Sequence, residues 1–137
     1  MRRGAQYWPD NLAVVDVHRG DAGRFTYAEL NRRADALAGW LRARGVVRGD
    51  RVAILAHNGV EILDVFFACA KLGAIFVPLN WRCHVRELAA MFAPLAVKVL
   101  VFGPEFAGAV AELRPHCPAP QLVHLDGDPV DRSAAWP

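Results

Sequence analysis

The chain lacks the short motifs by which many enzymes can be read at once. Its 137 residues contain no GxxxxGK[ST], no GxGxxG after a strand, no GxSxG and no HExxH. A Walker-type phosphate loop, a dinucleotide fingerprint, a nucleophile elbow and a zincin helix are therefore not to be expected here. Cysteine is scarce: Cys69, Cys83 and Cys117 are odd in number and form no CxxC, so neither a disulfide framework nor a zinc site is indicated. Five histidines, His18, His57, His84, His116 and His124, show no metal-ligand spacing. Charge of one sign is also lacking, with 16 basic and 14 acidic residues giving +2. Fourteen of the 16 basic residues are Arg, but they are interleaved with Glu29, Asp35, Asp50 and Glu87. A nucleic-acid surface needs its cations on one face, so none is expected. No apolar run is long enough to span a bilayer: the best, Ile62 to Ala70, is broken by Asp64 and closed by Lys71. Met1-Arg2-Arg3 leads into no apolar stretch, so no signal peptide is expected and the cytoplasm is the expected compartment.

What is present is apolar and regularly arranged. The hydrophobic fraction is 54%, above the usual range, and the length suits one domain with a real core. Ala13 to Val17 reads as a strand and Arg24 to Thr26 as its return, with the turn at residues 18–23. Thr26 followed three residues later by Glu29 spells a capping box. Leu30, Ala34, Leu37 and Leu41 then repeat at helical spacing until Gly45, which offers a left-handed stop. Arg51 to Leu55 is a short apolar strand. Asn58 and Glu61 suggest a second cap, opening a helix that Gly73 closes and that should be largely buried. Cys69 in that helix reads as a small buried thiol. Ala74 to Val77 is another strand, Val85 to Phe92 a short helix, Lys98 to Phe102 a strand, Glu105 to Arg114 a longer helix and Gln121 to Leu125 a last strand.

Strands that are apolar throughout and alternate with helices imply a parallel sheet covered on both faces. The expected fold is therefore α/β: three layers, a mostly parallel sheet with helices on both sides, preceded by a β-hairpin. Residues 1–125 form the expected subdomain, and 126–137, with Gly, Pro and charge but no periodicity, a linker or tail.

In such a sheet ligands gather outside the carboxyl ends of the strands. Those ends carry His57-Asn58-Gly59, Asn80-Trp81-Arg82, Gly103-Pro104 and Asp126-Gly127-Asp128. Arg82 is the candidate anion contact, because a guanidinium can grip a phosphate through two parallel hydrogen bonds. The alternatives for it are an ion pair with Glu87 or a seat over Trp81. His57 has no identifiable partner carboxylate and reads as a structural loop histidine. Glu61 and Asp64, three apart on one helix, read as solvated surface acids rather than a catalytic pair. No catalytic residue and no metal ligand is assigned.

The ordered set of residues carries more than any one of them. Phe25-Thr26-Tyr27-Ala28-Glu29-Leu30, then Gly45 to Ile54, Asn58-Gly59-Val60-Glu61, Phe66-Phe67-Ala68, Lys71-Leu72-Gly73-Ala74 and Val77-Pro78-Leu79-Asn80 resemble, in order, the opening of an AMP-forming acyl-CoA synthetase. Pro9-Asp10 with Ala13-Val14 is similar to that family's lead-in strand. Asn80-Trp81-Arg82 with Glu87-Leu88 resembles the fatty-acyl and medium-chain branch, although Cys83-His84-Val85 departs from the commoner Leu-Thr-Pro. The resemblance covers Tyr7 to Leu125 and implies an incomplete part of the large N-terminal domain of an adenylate-forming enzyme. It implies the activation of a fatty or other carboxylic acid with ATP and magnesium to an acyl-adenylate, then transfer to CoA. It also implies that Arg82 approaches the CoA phosphates. The Ser/Thr/Gly-rich loop with its lysine, the acyl pocket and the adenylation lysine of the small C-terminal domain match no residue here. These 137 residues alone are therefore expected to form no adenylate and to hold ATP, magnesium and CoA only weakly. A complementing ligase segment, or self-association through an exposed apolar face, is the expected partner. A stand-alone, non-catalytic interaction module derived from that fold is the alternative. A flavodoxin-type nucleotide-binding domain is a third, disfavoured by the absence of a phosphate cradle.

Overall fold

The computed structural model describes residues 1–116 and 120–125. It begins with a short helix α1 (Arg2–Tyr7), which the sequence did not suggest. Strands β1 (Leu12–Val15) and β2 (Arg24–Thr26) pair antiparallel, forming the expected hairpin, and a 3-10 segment Val17–Gly23 links them. Then follow α2 (Tyr27–Ala43), β3 (Arg51–Leu55), α3 (Val60–Leu72), β4 (Ile75–Pro78), α4 (Val85–Phe92), β5 (Val99–Phe102), α5 (Ala107–Leu113) and β6 (Gln121–His124). The expected last long helix is in fact a seven-residue α5 framed by 3-10 turns at Pro104–Phe106 and Arg114–His116. Cys117 and the tail expected over 126–137 lie outside the described residues.

The four main strands are parallel in the order β4-β3-β5-β6. Because successive strand residues face opposite sides, each strand feeds two cores. Val52, Ile54, Val99, Val101 and Val123 pack with Leu37, Leu41, Val65 and Cys69 of α2 and α3. Ala53, Leu55, Leu100 and Phe102 pack with Leu88, Phe92, Val110 and Leu113 of α4 and α5 on the other face. That is the expected three-layer architecture. Burying each Val or Leu fully stabilises it by ~1.5–3 kcal/mol before entropy is subtracted.

Helix ends follow two different logics. The Thr26 hydroxyl accepts from the Glu29 amide at 3.2 Å, and the Glu29 carboxylate accepts from the Thr26 amide at 2.8 Å, closing the expected capping box of α2. Gly45 (φ +80°) and Gly73 (φ +69°) take the left-handed conformation at the ends of α2 and α3, where a side chain would be strained. The start of α3 is not as expected. Its N-cap is Gly59, without a side-chain cap of its own, and neither Asn58 nor Glu61 closes a local box. Instead the Asp16 carboxylate, from the end of the hairpin strand, accepts from the Val60 amide at 3.2 Å. Only 8% of Asp16 is exposed, so this contact ties the hairpin to the sheet layer.

Helix α3 is less buried than its apolar face suggested. Val60, Val65, Ala68 and Cys69 are inside, but Phe66 is 44% exposed. The reason is strand order: β4 lies at the sheet edge, where Ile75 is also half exposed, and Phe66 packs edge-to-face on Phe76 there. The Cys69 thiol is buried as expected, and burial pushes its pKa up to about 12.

Candidate functional site

Strand order decides where a ligand can sit. From β3 the chain passes through α3 to β4 on one side, then returns through α4 to β5 on the other side of β3. The segments leaving β3 and β5 consequently diverge, since α3 packs on one face of the sheet and α5 on the opposite one. Such a divergence between neighbouring parallel strands opens a crevice beyond their carboxyl ends. A cleft of about 640 Å³ lies there, lined by His57, Asn58 and Gly59 after β3, Trp81 and Arg82 after β4, and Gly103, Pro104 and Glu105 after β5. Asp16, Arg19 and Glu61 close its hairpin side.

Three of the four strand-end groups singled out from the sequence therefore meet in one place; the fourth, Asp126-Gly127-Asp128, lies outside the described residues. The loop that presents Arg82 is shaped by Asn80, whose side-chain oxygen accepts from the Arg82 amide at 3.0 Å while its carbonyl accepts from the Cys83 amide at 3.0 Å. The Arg82 guanidinium carbon lies 4.5 Å above the centre of the Trp81 ring. Of the alternatives for Arg82, the structure selects the seat over Trp81. Glu87 is engaged elsewhere, accepting from the His84 amide at 2.8 Å in a capping box that starts α4. A cation–π contact leaves the guanidinium N–H groups open at the rim, and among the described residues no carboxylate pairs with them.

His57 differs from expectation. A partner carboxylate exists: Glu105 Oε1 is 3.6 Å from His57 Nε2. Sequence reasoning missed it because Glu105 belongs to the segment after β5, and only the strand order makes β3 and β5 neighbours. The imidazole also packs T-shaped on Trp81, 4.5 Å between centroids, and tilted against Phe106 at 5.1 Å.

Glu61 and Asp64 are corrected too. They do not form a solvated surface pair, because they turn to different neighbours. Glu61 pairs with Arg19 of the hairpin segment. Asp64 is 1% exposed and takes a forked contact from Arg33 of α2, with N–O distances of 3.1, 3.1 and 2.6 Å. Burial pushes the Asp64 carboxyl above its ordinary range, and Arg33 offsets that only in part. This pair joins α2 to α3 and faces away from the cleft chemistry.

The arrangement also speaks against phosphate binding of flavodoxin type. The start of the helix after the first strand of a parallel sheet is a natural anion site. At α3 that position already holds the Asp16 carboxylate, so a phosphate is excluded by charge and by occupancy. Of the two arginines that line this cleft, Arg19 is committed to Glu61 and to Asp16 at 3.4 Å, which leaves Arg82 as the open guanidinium.

Fold and cleft together define a parallel α/β domain whose strand-end loops meet at one cleft, with no assembled catalytic set among the described residues. The chain belongs to the AMP-binding enzyme family, whose pattern it matches over residues 1–136. A feruloyl-CoA synthase of an Amycolatopsis species is 42% identical over 94% of this chain and 28% of its own length. A long-chain-fatty-acid–CoA ligase of Mycobacterium tuberculosis is 37% identical over 73% of this chain and 20% of its own. Among solved structures, the N-terminal domain of FACL13 from Mycobacterium tuberculosis has a TM-score of 0.83 at 32% identity, over 91% of this chain and 32% of that one. The chain thus spans between a fifth and little more than a quarter of the curated relatives it matches, and these are named as acyl-CoA synthases and ligases. No described helix is long and apolar enough to cross a membrane.

Proposed function

We propose that these residues form the front part of an ATP-dependent acyl-CoA ligase, in which the cleft beyond β3, β4 and β5 receives the CoA side of the reaction. The observation that carries this is the Arg82 guanidinium, exposed at the cleft rim, stacked on Trp81 and without a carboxylate partner among the described residues. CoA brings phosphates to that rim and a thiol to the acyl group; the chain's own part is to hold the phosphate end. The carboxylic acid is of the kinds named for the relatives, a long-chain fatty acid or an aryl acid such as ferulate. Among the described residues no group of three or more metal-ligating side chains is present for magnesium. The exposed edge of β4, with Ile75 and Phe66, is where a complementing ligase segment or a second copy would pack. The compartment that fits is the cytoplasm.

The 137 residues alone then form no acyl-adenylate, since stabilising phosphoryl charge requires preorganised donors and metal that this cleft does not supply. A hydroxamate-trapped adenylation assay with ATP, magnesium and an acid panel containing ferulate and fatty acids tests this. It is run on the chain alone and on the chain mixed with the remainder of a related synthetase. Product only in the mixture is expected. Robust product from the chain alone overturns the reading, and silence in both favours a non-catalytic module.

A further inference from the structure

The cleft contains a linked row of side chains drawn from three separate strand ends. Glu105, after β5, sits 3.6 Å from the imidazole of His57, after β3. His57 meets Trp81, after β4, in a T-shaped contact at 4.5 Å, and Trp81 carries the Arg82 guanidinium at 4.5 Å. The Glu105 carboxylate reaches this position by folding back over Gly103, where a Cβ would stand 2.6 Å from its nearest oxygen. Each contact is modest, but the row is continuous. The Trp81 ring is half-buried, with part of it packed on the core under α4 and α5 and part of it facing the cleft. On the cleft side the ring meets the His57 imidazole, which also lies beside Glu105 and Phe106.

We propose that His57 is a positioning residue for Arg82: braced by Glu105, it fixes the Trp81 ring on which the guanidinium rests and so aims the cation at an anionic ligand in the cleft. This rests on the reading of Arg82 as the phosphate contact. His57 touches no reacting atom in this role. What it contributes is order in a side chain that otherwise samples many rotamers, and preorganising a cation lowers the entropy lost on binding.

The test has two readouts on the 137-residue chain. The first is ligand-free: the 15N order of the Arg82 Nε–H group, measured by heteronuclear NOE. It is expected to drop in His57→Ala and to recover in His57→Phe, which keeps a ring against Trp81. The second is affinity for the nucleoside bisphosphate 3′,5′-ADP, followed by chemical shifts of the Trp81 indole and Arg82 Nε. His57→Ala is expected to weaken it about fivefold, the scale of one aromatic contact. Gly103→Ala, which drives the Glu105 carboxylate aside, is expected to lower Arg82 order in the same direction. Unchanged Arg82 order in His57→Ala overturns the positioning role whatever the ligand does, and unchanged order in Gly103→Ala removes Glu105 from it. Affinity retained in Arg82→Ala, or no binding by the unaltered chain, overturns instead the reading of Arg82 as the anion contact.

Discussion

Helices α2 and α3 lie side by side on one face of the sheet, yet they begin in opposite ways. The first turn of α2 is closed by Thr26 and Glu29, residues of its own. The first turn of α3 is closed by Asp16, forty-four positions earlier. In both, backbone N–H groups at the helix start find an acceptor, because buried donors without partners are costly. The local box makes a helix start that the sequence announces, although the Tyr27 and Ala28 amides also donate to the Asn11 and Pro9 carbonyls at 3.1 and 3.0 Å. A distant cap makes the helix start conditional on the hairpin, and it places a negative charge where a parallel α/β domain would otherwise accept a phosphate. One difference in capping thus ties the N-terminal hairpin to α3 and puts a carboxylate at the helix start, which is why the proposed anion contact is Arg82 rather than α3.

The link between the two helices offers the sharpest way to break this comparison. Arg33→Ala leaves the Asp64 carboxylate buried without its cation. A loss of about 3 kcal/mol is expected at neutral pH, the low end for a broken buried pair because a third of the Arg33 side chain faces water. The pH dependence has a definite sign. The folded Asp64 pKa lies above the unfolded one, so its contribution is most favourable at low pH and falls as pH rises through the folded value. The Arg33→Ala deficit, measured by urea unfolding, should therefore shrink as pH is lowered into the carboxylate range. A deficit independent of pH would mean that packing, not charge, joins the helices.

Asp16→Ala should come next, costing about 1–2 kcal/mol as a lost cap and opening hydrogen exchange at the Val60 amide while the α2 amides stay protected. If the hairpin remained docked and that amide remained protected, the conditional start of α3 would be wrong. Thr26→Ala should cost about 1 kcal/mol and leave the hairpin contact with α3 intact. It should also reduce the acid sensitivity of the protein. The Thr26 amide and hydroxyl hold the Glu29 carboxyl below its ordinary value, so that contribution is present near neutrality and is lost as pH falls through the folded value. Because Asp16 and Thr26 serve different helix starts, the double variant should show near-additive losses, within about 0.5 kcal/mol. The smallest effect expected is chemical. Cys69, inside α3 and pushed up to about 12, should stay unmodified by iodoacetamide at pH 8 while half-buried Cys83 reacts. Equal labelling of both in native protein would show that α3 opens readily.

Where sequence reading failed, it failed for one kind of reason. Asn58 and Glu61 looked like a cap because their spacing suits one, but a carboxylate that arrives through tertiary structure took the position. Glu61 and Asp64 looked like solvated acids because helix spacing says nothing about what lies across the interface; Arg19 and Arg33 come from elsewhere in the chain. Phe66 looked buried because apolar periodicity cannot tell a central strand from an edge strand, and β4 is the edge. The Thr26–Glu29 box, the glycine stops at Gly45 and Gly73, the apolar strands and the bounds of α4 needed no such information.

By itself, then, the sequence determined most of the elements and the two-faced burial of the sheet, and its ordered motifs carried the resemblance to the AMP-binding family. The elements rest on periodicity and on contacts three or four residues apart, which the chain makes wherever it goes. Only the tertiary structure decided that β3 lies between β4 and β5. That order brings His57, Trp81, Arg82 and Glu105 to one cleft, because side chains from separate strand ends can meet only after the sheet has assembled.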